Sequence, residues 1–385
     1  MQTAPVVTER RAAGWYELFF DLVFVVVIAL SARLIEVDPA PLTVLVFVLL
    51  FFPLWWAWVN LMLTVNLFVE GSPSLPVALV LSMPGPAAMA IAISAGVDHY
   101  AWLYAAGAVW VRLALIVMWL IPRIEQRSSN PFWRVVVYNL VPAALWLGAL
   151  AAPVPYRYLI WAVALLIEVL LLALPGATSE DIYLRVSVSH ALERVGLFVV
   201  IVIGEAVYLG VTTLTAHLSV AGGAAAIFGF LVCALLARSF FRFGVPTAEV
   251  GLLEAQRSHR FGPLRDSVMY LPFLLVTGLT LISAIIGIAV ERGVEPLAFA
   301  PRIILFAGAA GFYVTNSIIG IRLRRRISSI LLLLVPAILL TAAACLPAEL
   351  PAWVTLALVA VALGILDVLS SLLGRASHPH HHHHG

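Results

Sequence analysis

The chain reads as an all-α membrane protein of about twelve transmembrane helices, and three observations carry that reading. Hydrophobic residues make up 63% of the sequence and charged residues only 11%, against about 25% charged in soluble domains. Apolar runs of about 20 residues, the length that crosses a bilayer as a helix, recur along the whole chain. Arginines collect in alternate connections between those runs, as the positive-inside rule describes. Backbone buried in lipid must satisfy its own hydrogen bonds, so such runs have to be helical.

In order, the runs fall near residues 15–36, 42–66, 75–97, 101–121, 134–152 and 156–175. A second set follows near 187–213, 219–241, 267–290, 302–322, 328–347 and 352–373. Pro84 and Pro86 interrupt the third run, which a membrane helix tolerates when neighbours satisfy the released carbonyls. With the N-terminus in the cytoplasm, the inside segments hold Arg10, Arg11, Arg123, Arg127, Arg134 and Arg185, then Arg238, Arg242 and the arginines of 257–265 and 322–326. Outside loops hold chiefly Arg157, Arg292 and Arg302. Both termini are therefore expected in the cytoplasm. The segment 243–266, the longest inside loop, is expected to carry a short surface helix.

Paired stretches suggest an internal duplication. LVPAALWLGALAAP at 140–153 parallels LVPAILLTAAACLP at 334–347, and AVALLIEVL at 162–170 parallels AVALGILDVL at 360–369. The second pair aligns Glu168 with Asp367. Six helices per half leave both halves in one orientation, a parallel repeat. The expected division is 1–183 and 184–377, with the His-rich 378–385 reading as a purification tag outside the fold.

Composition also excludes functions. All 22 basic residues are arginine, which rules out a lysine Schiff base, a P-loop lysine and a Ser–Lys dyad. A net charge of +2 gives no case for nucleic acid as a partner. Cys233 and Cys345 both lie in apolar runs, where cysteine acts as a small hydrophobe, so neither a disulfide nor a metal site is expected. No cofactor motif is present, and the run at 15–36 is too long for a secretion signal.

Chemistry gathers in the seventh run, SHALERVGLFVVIVIGEAVYLGVTT at 189–213. At about 100° per residue, His190, Glu193, Arg194 and Glu205 fall within an arc of roughly 120°. A charge near the bilayer centre costs roughly 2.5–3.5 kcal/mol on insertion scales, so this face should look into the protein. The first run, WYELFFDLVFVVVIAL, sets Glu17 and Asp21 one turn apart on one face. Two carboxylates so placed need a proton or a cation. Arg112 in the fourth run and Arg194 in the seventh are the candidates, with Arg112 expected beside Asp21 or Glu17. His190 suits proton relay or a simple hydrogen bond to Glu193.

Secondary candidates are Asn66, Glu168, Asn316 and Asp367. Glu168 and Asp367 lie near inner helix ends, where capping and function are both open. Asn139 and Asn316 are expected to hydrogen-bond between helices. Trp55, Trp56 and Trp58 fit an interfacial belt or bulky packing, and Gly204 suggests a close helix approach.

ELFFDLVFVV at 17–26 and HALERVGLFVVIVIGEAV at 190–207 resemble the two defining motifs of the low-temperature-requirement A (LtrA) family of bacterial membrane proteins. Weaker similarity runs through WWAWVNLMLTVNLF at 55–68, VRLALIVMWL at 111–120 and YRYLIWAVAL at 156–165. The resemblance carries over Glu17, Asp21, His190, Glu193, Arg194, Gly204 and Glu205, and implies a bacterial cytoplasmic (inner) membrane. Two departures stand out. Only Asn66 and Glu70 remain of the family's charged segment after the second run, and MYLPF at 269–273 lacks the family's usual histidine. The family's name records a cold-growth phenotype, so the resemblance implies architecture more than mechanism.

Three functions are compatible with these residues. The first is transport or permeation of a small solute or ion, with protons or cations coupling through the buried acids. The second is an intramembrane enzyme acting on a lipid or isoprenoid, with Glu205 or Asp21 as general acid and Glu193 with His190 as base. The third is a membrane partner whose charges serve assembly. The transport reading leads, and it requires the acids of the first and seventh runs to share one interior.

Overall fold

The computed structural model describes residues 14–127, 132–173 and 183–376. The regular structure among these residues is helical: α1 (Trp15–Val37), α2 (Pro41–Phe68), α3 (Leu75–Ser82), α4 (Pro84–Ala95), α5 (Ala101–Ile124), α6 (Phe132–Gly148) and α7 (Tyr156–Ala173) come first. Then follow α8 (Val188–Ala216), α9 (Val220–Ser239), α10 (Val245–Arg257), α11 (Phe261–Arg265), α12 (Leu271–Glu291), α13 (Phe299–Arg322), α14 (Ile327–Cys345) and α15 (Ala352–Ala376). Eleven helical segments among the described residues are long and apolar enough to cross a membrane, α3 and α4 counting as one. The sixth expected span corresponds to α7, which ends where the described residues end. The His-rich 378–385 lies outside them.

Local chemistry sets the helix boundaries. The Glu17 carboxylate accepts the Gly14 N–H at 2.7 Å and caps α1. Ser187 and Ser219 cap α8 and α9, accepting the N–H groups of His190 at 3.4 Å and Gly222 at 2.9 Å. Met83, just before Pro84, separates α3 from α4. The expected surface helix is α10. It is continuous with α9 through a π-helical turn at Phe240–Gly244, so that Val220–Arg257 runs for 38 residues.

Outward-facing side chains such as Leu22, Val26, Leu113 and Leu339 are large and apolar, as a lipid-facing surface requires. The polar residues turn inward. Helices α1, α2, α8 and α12 form the centre, and α12 is the most enclosed of the apolar segments. Two glycine crossings bring backbones into direct contact. A β-carbon on Gly107 of α5 would lie 2.5 Å from the Gly85 carbonyl oxygen, and one on Gly85 would lie 2.9 Å from that of Gly107. Gly278 of α12 and Gly308 of α13 repeat the arrangement at 3.1 and 2.7 Å. Only glycine permits such approach, the usual device for packing helices in lipid. At Gly204, by contrast, an added β-carbon would meet nothing within 4 Å, so the close approach expected there is absent. Gly204 faces outward.

Candidate functional site

The first and eighth helices do bring their charges together. The Arg194 guanidinium grips Asp21 as a fork, Nε donating to Oδ2 at 3.0 Å and Nη2 to Oδ1 at 2.7 Å. Its remaining Nη1 donates to Glu17 Oε1 at 3.0 Å. Glu17, Asp21 and Arg194 are each 0% exposed. Planar, two-pronged pairing is what guanidinium provides and ammonium does not. Trp58 adds an indole N–H to Asp21 Oδ1 at 2.9 Å, and its ring lies 5.9 Å from the Arg194 guanidinium carbon.

His190 completes this network from the same helix. The Ser187 N–H donates to Asn66 Oδ1 at 3.0 Å, which fixes the Asn66 amide with its nitrogen toward His190 Nδ1 at 3.2 Å. Because that amide nitrogen can only donate, Nδ1 is the acceptor and the ring proton sits on Nε2. Nε2 faces Glu17 Oε1 at 3.3 Å, an ion-pair separation without good hydrogen-bond geometry. Glu193 is not part of this. It is exposed, because it stood at one extreme of the predicted arc and the core closes over the other side. Of the two readings open for His190, the simple hydrogen bond to Glu193 is not formed; its neighbours are Asn66 and Glu17.

Arg112 departs from expectation. It pairs with Glu168 of α7 rather than with Asp21 or Glu17, since Arg194 already saturates those two acids. Its Nη1 also donates to Asn139 Oδ1 at 3.4 Å, and Trp146 donates to Glu168 Oε1 at 3.3 Å. Glu168 is fully buried, so it neither caps a helix end nor reaches for the interface. Asp367 instead receives Arg238 Nε on both oxygens, at 3.0 and 3.1 Å. Asn139 bonds between helices as expected, whereas the Asn316 side chain donates to Phe312 O of its own helix at 3.1 Å.

Helix α2 joins the two charge networks. Trp55, Trp56 and Trp58 are buried, so they form no interfacial belt. Trp58 holds Asp21, Trp56 donates to the Tyr138 hydroxyl at 3.3 Å, and the Tyr138 ring lies 5.8 Å from the Arg112 guanidinium. Trp55 donates to Met269 O at 2.8 Å, in the π-helical turn Asp266–Tyr270. A π turn leaves a carbonyl available for such a partner. Hydropathy carries no sign of this role; the only sequence hint was three indoles in four residues.

Glu205 stands apart. It lies about three turns beyond Arg194 on α8, some 16 Å along the axis. Phe198 intervenes, packed on Trp58 at 4.7 Å, Trp55 at 5.5 Å and Phe24 at 6.0 Å between ring centroids. These rings close the Arg194 network on the Glu205 side, so the predicted column of acids is divided in two. Glu205 is 5% exposed, and its side-chain partner among the described residues is the Ser283 hydroxyl, donating at 3.0 Å. Glu36 of α1, an acid that sequence reasoning did not single out, lies within reach of the Glu205 charge. No group of three or more metal-ligating side chains occurs among the described residues.

A bundle of apolar helices whose buried acids are sorted between arginine-held networks and one hydroxyl-bound carboxylate defines a polytopic α-helical membrane protein. The comparisons narrow the class. The family described as "Bacterial low temperature requirement A protein (LtrA)" matches residues 12–367, and the chain belongs to that family. A curated relative, the uncharacterized protein RA0937 of Rhizobium meliloti (strain 1021), is 28% identical over 209 residues. The aligned part is 52% of this chain and 51% of the relative, so the match spans about half of each. No solved structure matches significantly.

Proposed function

We propose that this protein moves a small solute or ion across the bacterial cytoplasmic membrane, with Glu205 taking up and releasing the coupling proton or cation. One observation carries the reading: Glu205 is buried midway along a long apolar helix with a hydroxyl as its partner among the described residues, whereas Glu17, Asp21 and Glu168 are held by guanidinium groups. Intramembrane acids of this kind are expensive to keep and mark ion or substrate pathways. A carboxyl group on a hydroxyl can exchange its proton without breaking a salt bridge. The arginine distribution supports cytoplasmic termini. The matched glycine crossings at 85/107 and 278/308 support twelve spans in two parallel halves.

The enzyme reading lacks its base. Glu193 is exposed, and His190 is engaged by Asn66 beside Glu17, on the far side of Phe198 from Glu205. The test is flux in proteoliposomes. With an imposed pH gradient, the wild-type chain should acidify or alkalinise the lumen, and Glu205→Gln should abolish the signal at equal reconstitution. Unchanged flux in Glu205→Gln would end the proposal.

A further inference from the structure

We propose that the turn between α13 and α14 is a binding surface for the headgroups of anionic phospholipids. Helix α13 ends at Arg322, and the backbone reverses within four residues. The Arg324 N–H donates to Ile321 O at 3.0 Å and that of Arg325 to Gly320 O at 2.9 Å, with Arg324 at a φ of 61°. Such a C-terminal turn satisfies the last helical carbonyls and sends the chain straight into α14 at Ile327. Arg324, Arg325 and Arg326 consequently stand side by side at the end of a helical hairpin, and all three are exposed.

Three other arginines, Arg238, Arg265 and Arg322, are neutralised by acids. Arg322 and Arg265 share Asp266 at 2.7 and 3.0 Å, and Arg238 holds Asp367. Among the described residues no carboxylate lies in ion-pair range of Arg324, Arg325 or Arg326. Directly beside them Ile321, Ile327 and Leu331 are exposed apolar side chains that continue the lipid-facing surface up to the guanidinium groups. A soluble anion has no use for that apolar border, whereas a phospholipid needs it for its acyl chains. The turn is also backed by protein: a β-carbon on Gly251 of α10 would lie 2.8 Å from the Leu323 side chain. Guanidinium groups bind phosphate through paired hydrogen bonds, and juxtamembrane arginines are drawn to anionic leaflets.

The experiment uses the purified full chain, stripped of lipid in neutral detergent, with phosphatidylglycerol or phosphatidylcholine added and retained lipid counted by native mass spectrometry. The wild-type chain should prefer phosphatidylglycerol by tenfold or more, about the attraction of several surface arginines. The triple variant R324Q/R325Q/R326Q should lose that preference. R324K/R325K/R326K keeps the charge and the insertion signal, and should retain most of it. Equal binding of the two lipids by the wild type, or an unchanged preference in the glutamine variant, would overturn the proposal. So would loss of preference in the lysine variant, or displacement of phosphatidylglycerol by an equal concentration of inorganic phosphate.

Discussion

Arg194 and Glu205 share one helix and one buried face, yet their surroundings are opposite. Around Arg194 every formal charge is answered: Asp21 and Glu17 by its guanidinium, with Trp58, His190 and Asn66 filling the remaining directions. Around Glu205 the side-chain partner among the described residues is one hydroxyl, that of Ser283. Buried ion pairs add little net stability, but removing one member leaves an uncompensated charge. Substitution in the first region is therefore expected to cost stability. The second keeps a buried acid on a hydroxyl, with no ion-pair partner among the described residues, which is the feature on which the proposed role rests.

The largest expected effect of breaking the comparison is at Arg194. Arg194→Gln strands two buried carboxylates and should destabilise the fold by about 3–5 kcal/mol, read as loss of the monodisperse peak and a lowered thermal midpoint in detergent. Arg112→Met alone should approach the same cost. The double variant Arg112→Met/Glu168→Leu removes both charges and should recover most of the stability, because apolar replacement of a whole buried pair is often neutral. If the double variant were as unstable as the single one, the pair would have a role beyond neutralisation. Trp58→Phe keeps an aromatic ring but removes the indole N–H donated to Asp21 and part of a fully buried side chain, so it should cost at least about 1.5–3 kcal/mol in chemical unfolding. Smallest of all in stability is Glu205→Gln, within about 1 kcal/mol, since an amide can still accept from Ser283. That variant alone should combine a normal thermal midpoint with lost flux.

How much of this was legible in the sequence depended on distance along the chain. Helix existence follows from apolar run length, and the segments match the expected runs to within a few residues except where α9 continues through a π turn into α10. Facing is legible where the period is regular. His190, Arg194 and Glu205 turn inward as 100° steps predict, while Glu193 lies at the edge of the arc and falls outside. Partnership is not legible. Nothing near Arg112 says that its acid is Glu168 on α7 rather than Asp21 on α1, because that choice belongs to helix packing. Nor does hydropathy distinguish an interfacial indole from one that donates in the core, which is why the cross-linking by Trp55, Trp56 and Trp58 went unread. The Phe198 partition is of the same kind: a phenylalanine among valines reads as filler until the rings around it are placed.

Infrared difference spectroscopy of the protein in a bilayer, stepped in pH, tests the distinction most directly. The account predicts one carboxylic C=O band that appears and disappears with pH in the wild-type chain, is missing in Glu205→Gln, and persists in Glu168→Gln at whatever yield that variant folds. A band that survives in Glu205→Gln, or a spectrum with no titrating buried carboxyl at all, would contradict it.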